Sequence, residues 1–273
     1  MIKVGCNFLS FKGLPMDIET FIQISYDLKL DVIDFHHRAF ESDDPAYLRN
    51  LKMKCLKLGL PIGYLGTAAG HPQNEEEERQ RSDQIKAAID AAVVLGAPLV
   101  RVFGAHCPPG LEDRDPLFAA LAGRLRQVAE YSAGKGVIVA LQNHDNRNLA
   151  ATGPDILRIL GDVDHPNFSY IMDTGQWRGS PGAAGETDPK VDIYAWMEQV
   201  LPCACYVRAK FYRVASGREE ILDYERIVGI LKEQGYNGSL SIVYEGCEDE
   251  GRVERRVDLI RRAAGHLREL LAS

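Results

Sequence analysis

No stretch of this sequence approaches the ~20 consecutive apolar residues of a membrane-spanning helix. A basic excess is also missing. With 32 Lys and Arg against 39 Asp and Glu, the formal charge is −7. Nucleic acid and anionic membranes both reward a basic surface, so neither is expected as a partner. Cys-x-x-Cys spacing is absent: Cys6, Cys55, Cys107, Cys203, Cys205 and Cys247 are scattered, and Cys203-Ala204-Cys205 is one residue too short for a zinc knuckle or redox pair. Reduced cysteines in a cytoplasmic protein are therefore expected. Met1–Cys6 agrees, running straight into apolar alternation without a signal-peptide layout. No linker or low-complexity tract divides the 273 residues, which are 45% hydrophobic. A chain of that size buries about three quarters of its unfolded surface, so neither disulfide nor metal is needed to hold it together.

What is present is a regular alternation. Short β-branched runs recur at Ile2–Phe8, Val32–His37, Pro61–Leu65, Leu99–Phe103, Val137–Gln142, Phe168–Asp173, Cys205–Phe211 and Leu240–Glu245. Helical spacing fills the gaps: Ile85, Ala88, Ile89, Ala92 and Leu95; Leu117, Leu121, Leu125 and Val128; then Val253, Val257, Ile260, Ala264, Leu267 and Leu271. Asp44-Pro45, Asp115-Pro116 and Asp188-Pro189 each offer a capping carboxylate before a first-turn proline. Gly59, Gly96, Gly136 and Gly235 stand where left-handed helix ends are expected. The charge run Glu75–Arg79 fits a solvated loop and helix start. Eight units of ~34 residues, each the size of one βα step, predict an α/β fold: one (β/α)8 TIM barrel over residues 1–273.

Such a barrel keeps its chemistry at the C-terminal ends of its strands. In strand seven, Val207, Ala209 and Phe211 form an apolar face for the outer helices, so Arg208 and Lys210 must point inward. Two cations inside a barrel are costly unless paired or used, which makes them the sharpest candidates. In strand five Gln142 and His144 share a face, with His144 nearer the mouth. Strand six ends in Asp173, followed by a glycine-rich loop whose Trp177 and Arg178 read as a wall over a substrate. Strand eight puts Val243 deep and Glu245 at the rim. His37, His71, Arg101 and His106 fall at or after strands two to four, and parity leaves the direction of Arg101 open. His37, Arg101, His106, Gln142, Trp177 and Arg178 are thus the substrate-binding candidates.

The segments Val139–His144, Ile171–Trp177, Tyr206–Lys210 and Gly235–Gly246 resemble the xylose-isomerase-like barrels, the sugar phosphate isomerase/epimerase group. That group also contains the endonuclease IV type of DNA repair enzyme. Its pattern reads Glu-Asn-His on strand five, Asp-Thr-Gly-His on six, His-x-Lys on seven and Ile-Glu-Tyr-Glu-Gly on eight. The first Glu, the Asp, the strand-seven His and the first strand-eight Glu hold a divalent metal. Here Gln142, Arg208 and Val243 replace three of these ligands, and Asp173 alone matches. His144, Lys210 and Glu245 match family positions that are not ligands. The resemblance therefore implies a metal-dependent fold whose tight site is lost, with the Arg208 guanidinium against Asp173 in place of the ion. A displaced, weaker Mn or Mg site of Gln142, His144, Asp173 and Glu245 is the remaining alternative.

Members of this group move a proton beside a carbonyl while the metal steadies the enediolate. The resemblance thus implies a sugar or sugar-derivative isomerase, epimerase or β-eliminating lyase of carbohydrate metabolism. In it Arg208 and Lys210 stabilise the oxyanion, Glu245 or His144 transfers the proton, and Asp173 orients Arg208. Two alternatives keep the barrel: an aldolase or lyase forming a Schiff base on Lys210, and a non-catalytic sugar-binding barrel. DNA repair is disfavoured, because Gln176 stands where a further histidine ligand belongs. The expected partner is a small sugar, phosphorylated or not, since no recognisable phosphate cradle appears. A homo-oligomer through apolar helix faces is compatible with such a barrel.

Overall fold

The computed structural model describes residues 1–68, 74–145, 147–182 and 187–273. Eight strands, β1 Lys3–Asn7, β2 Val32–His36, β3 Ile62–Gly66, β4 Leu99–Phe103, β5 Ile138–Gln142, β6 Phe168–Asp173, β7 Ala204–Phe211 and β8 Ser239–Tyr244, pair in parallel, each with the next. β8 pairs with β1 and closes the barrel. The described helices are α1 Ile18–Asp27, α2 Pro45–Leu58, α3 Glu75–Leu95, α4 Asp115–Ala133, α5 Gly153–Val163, α6 Ile193–Val200, α7 Tyr224–Glu233 and α8 Val253–Ala272. This is the single (β/α)8 TIM barrel expected from the alternation, with every strand end within one residue of its predicted place.

The helix signals differ in how well they hold. Asp44 caps α2, its Oδ1 accepting from the Ala46 N–H at 2.7 Å, and Gly59 ends that helix at φ +68°. Gly96, Gly136 and Gly235 are likewise left-handed. The other two Asp-Pro pairs do not cap. Asp115 is itself the first residue of α4. Asp188 closes a local turn by accepting from the Lys190 N–H, and Asp192 caps α6. The reason is packing: the apolar stripe of α6 that faces the barrel begins only at Ile193, so the helix starts there.

Two cores result. Between strands and helices, Ile85, Ala88, Ile89, Ala92 and Leu95 of α3 are buried against the outer faces of the strands, as are Leu121, Leu125 and Val128 of α4. Each buried leucine or isoleucine contributes about 1.5–3 kcal/mol. Within the barrel, Tyr64, Leu99, Ala140, Ile171 and Tyr206 form a separate small cluster. It fills the N-terminal half of the lumen and leaves the C-terminal half to polar groups. The floor of that half is Asp34, whose buried carboxylate accepts from the Tyr206 hydroxyl at 2.7 Å, from the Ser241 hydroxyl and from the Tyr64 N–H.

The fit there is close. β3 carries Gly63 where a Cβ would run into the Tyr206 hydroxyl and the Asp34 carboxylate. Gly63→Ala should therefore lower stability by about 1–3 kcal/mol in denaturant unfolding. An unchanged midpoint would mean that the lumen is looser than this geometry.

Candidate active site

The C-terminal ends of the strands open on a cavity of about 520 Å³ lined by His36, Arg101, Phe103, Gln142, His144, Gln176, Arg208, Lys210 and Glu245, with Lys12 and Arg38 at its exposed rim. β7 supplies its centre. Its apolar residues Val207, Ala209 and Phe211 join the outer core, and the alternation turns Arg208 and Lys210 inward, where both are buried. The strand register sets Asp173 of β6 beside Arg208.

These groups form one network. Arg208 Nη1 donates to Gln142 Oε1 and lies 3.4 Å from Asp173 Oδ2. Gln142 Nε2 donates to that same Asp173 oxygen at 3.3 Å. Lys210 Nζ stands between Glu245 Oε2 at 2.9 Å and Asp173 Oδ2 at 3.6 Å. Behind them Asn143 clamps the end of β6: its Oδ1 accepts from the Asp173 N–H and the Tyr170 hydroxyl, and its Nδ2 donates to the carbonyls of Asp173 and Gln176. The Lys210 backbone is fixed in turn, its N–H donating to Thr174 Oγ1 and its carbonyl accepting from the Tyr224 hydroxyl. A buried ion pair broken on one side costs about 3–5 kcal/mol, so Asp173 is held to two cations at once.

Protonation follows from this arrangement. At Glu245 burial opposes ionisation, but the Lys210 ammonium overcomes it and brings the carboxyl down to about 2. Burial lowers His144 to about 4, and burial with the Arg101 charge lowers His36 to about 3, so both rings are neutral near pH 7. Burial raises Asp34 to about 7 against its three donors. Arg101 falls to about 9 through burial and then the charge of Arg208, and it remains cationic at neutral pH.

The four positions that hold a divalent ion in the resembling family do not suit one here. The Gln142 carbonyl oxygen already accepts from Arg208, Arg208 itself brings a fixed positive charge, and Val243 offers no donor atom. One carboxylate, Asp173, is left, and it is shared between two cations. Hard divalent ions need several oxygen or imidazole donors, which this set lacks. The displaced alternative meets the same obstacle, because Asp173 and Glu245 are both engaged by Lys210. Among the described residues no group of three or more His, Cys, Asp or Glu side chains is placed to hold a metal.

Of the expected site residues, Gln142, His144, Asp173, Arg208, Lys210 and Glu245 meet at this cavity, and Arg101 proves to face inward. Four others do not. Trp177 is fully buried outside the cavity lining, its ring 6.1 Å from that of Trp196, because the loop turns it back into the core. Arg178 extends from the same loop to a separate depression and lies 3.9 Å from Asp155. His37 leaves the barrel as β2 ends at His36, and its Nε2 pairs with Asp43 at 2.8 Å. His106 lies outside the cavity lining, in the loop after β4, and its backbone bridges to Asn148. His71 falls outside the described residues. His36 and Asp34 were missed, although they share a face of Val32-Ile33-Asp34-Phe35-His36 by the same alternation that exposed Arg208 and Lys210.

Comparison with known proteins bears on the fold and the family. Residues 22–270 match the xylose isomerase-like TIM barrel family. Among solved structures, D-psicose 3-epimerase from Clostridium cellulolyticum H10 superposes with a TM-score of 0.79 at 15% identity, over 99% of each chain. An L-ribulose 3-epimerase gives 0.78 at 17% identity, over 100% of this chain and 95% of that one. At those identities the likeness is one of fold. A 3-dehydroshikimate dehydratase from Bacillus anthracis is 25% identical over 150 residues, 49% of this chain and 52% of that protein. The aligned region thus spans about half the length of that curated relative. No described helix is long and apolar enough to cross a membrane. The match over most of its length, with the closed barrel, makes this chain a member of the xylose isomerase-like TIM barrel family.

Proposed function

We propose that this protein is an enzyme that moves a proton on the carbon next to a carbonyl in a sugar or sugar derivative, and that the Arg208 guanidinium does the work of the family's metal ion. The observation that carries this reading is the network at the mouth: two buried cations, Arg208 and Lys210, share one buried carboxylate at the centre of the cavity. Removing a proton beside a carbonyl develops negative charge on the carbonyl oxygen. Preorganised donors that wait where this charge forms act without reorganisation, and each is worth about 10²–10³ in rate. Arg208 Nε has no hydrogen-bond partner among the described residues. The guanidinium thus has donor capacity not spent on the protein, and the Lys210 ammonium has three protons for two carboxylates, which leaves one for such an oxygen.

The base is His144. It is neutral at pH 7 and stronger than Glu245, which Lys210 keeps ionised down to about 2. Glu245 instead holds the Lys210 ammonium toward the cavity. Asp173 orients both cations, and Asn143 fixes Asp173. Isomerisation, epimerisation and β-elimination share this first step and differ in where the proton or leaving group goes next. The similarity to sugar epimerase folds and to a dehydratase supports that shared step. The Schiff-base alternative needs Lys210 as a free amine, and here its nitrogen is held between two carboxylates. The retained network of Gln142, Asp173, Arg208, Lys210 and Glu245 favours catalysis over a binding barrel.

Incubated in D2O with a panel of ketoses and keto acids, the protein should exchange the proton beside the carbonyl, read by proton NMR, and should do so in the presence of a chelator. Arg208→Ala and Lys210→Ala should each slow the exchange by about 10²–10³-fold while circular dichroism shows an intact barrel. No exchange with any compound, or near-normal exchange by either variant, would refute the assignment. The pH profile gives an independent check. A base must be unprotonated, so kcat/KM should stay level as pH falls through 6.5 and drop only near pH 4. His144→Gln should remove that limb and lower the rate by about 10²–10⁴-fold. A limb at the ordinary histidine value would exclude a buried His144 as the base.

A further inference from the structure

Among the described residues three buried cations line or adjoin the cavity, and only two form ion pairs with carboxylates. Arg208 and Lys210 pair with Asp173 and Glu245. Arg101 is 1% exposed, and its Nε and Nη1 have no hydrogen-bond partner among the described residues. Its guanidinium carbon lies 4.1 Å over the Phe103 ring, which presents a face but no oxygen. On the other side β3 carries Gly66, where a Cβ would come within 2.6 Å of Nη2, so the backbone leaves room for the guanidinium. A buried charge with unmet donors is expensive unless something supplies an acceptor. Here it borders an open cavity with space for a ligand of sugar size.

We infer that Arg101 is the anchor of an anionic subsite, and that the substrate is a sugar acid or related polyhydroxy keto acid whose carboxylate it binds. The charge count selects a monoanion. Among the described residues Arg101, Arg208 and Lys210 face Asp173, Glu245 and the floor carboxyl Asp34, and burial raises Asp34 to about 7, so it carries only part of a charge at neutral pH. The buried groups thus hold less than one net positive charge, which a single carboxylate answers and a phosphate dianion overshoots. Guanidinium is suited to carboxylate because its planar donors match the two oxygens. The identity of this ligand as substrate rests on the proton-transfer reading above; the binding preference itself does not.

The test is binding, by isothermal titration, of matched compounds: glucuronate and galacturonate, their neutral counterparts glucose and galactose, and glucose 6-phosphate. At least one uronate should bind tenfold or more tightly than its neutral partner. Arg101→Gln should abolish that difference, and Arg101→Lys should keep part of it. Equal binding of acid and neutral sugar, a preference confined to the phosphate, a preference that survives in Arg101→Gln, or no uronate binding by about 10 mM would each overturn the anchor. The D2O exchange experiment is separate: its failure with the uronate preference intact removes the reaction and leaves the subsite. Should Arg101→Gln fail to fold, the same titration on Gly66→Ala, which crowds the guanidinium, reads the loss instead.

Discussion

A guanidinium fixed at the centre of a closed barrel has to be answered by its surroundings, and most of the mouth of this protein is that answer. Alternation along β7 leaves Arg208 no outward choice, since Val207 and Ala209 are committed to the outer core. Strand register then brings Asp173 beside it, and Gln142 supplies the second acceptor. Once Asp173 is buried it needs its own support, which Asn143 gives from β5 and Lys210 from β7. The chain of dependence runs outward to Glu245 at the rim.

This network inverts the electrostatics of the family's metal site. A divalent ion held by three carboxylates and an imidazole is a movable positive charge surrounded by negative ones. Here the positive charge is covalently part of β7, and three of the four ligand positions no longer carry a donor free to bind a metal ion. The protein as a whole carries a charge of −7, yet the described residues lining the cavity include Arg101, Arg208, Lys210, Lys12 and Arg38 against Glu245, with Asp173 and Asp34 buried behind them. An acidic shell around a cationic pocket steers anionic ligands to the mouth only at short range, because screening cuts the field within about 10 Å. Selection therefore lies with the buried groups rather than with the overall field.

The barrel was legible in the sequence because two periods repeat through it: apolar strands at period two and amphipathic helices at 3.6. The inward cations of β7 were legible for the same reason. Asp34 and His36 carried an identical signal in Val32–His36 but are short of obvious cost, since a histidine and a single acid fit many places. Trp177 and Arg178 were misplaced because loop residues obey no period; the turn after Gln176 sends one into the core and the other toward Asp155. His37 follows the inward His36 and so takes the opposite face of the same alternation, which sends it to Asp43 outside the lumen. The direction of Arg101 depended on the closure of β3, β4 and β5 into register, a property of the assembled sheet.

Manganese titration tests most directly whether a fixed guanidinium has replaced the metal. Followed by electron paramagnetic resonance, wild-type protein should bind Mn²⁺ no more tightly than about 1 mM. The triple variant Gln142→Glu, Arg208→His, Val243→Glu, which rebuilds the family ligand set around Asp173, should bind it at least a hundredfold more tightly. Stoichiometric micromolar binding by the wild type would contradict the replacement and return the chemistry to a metal.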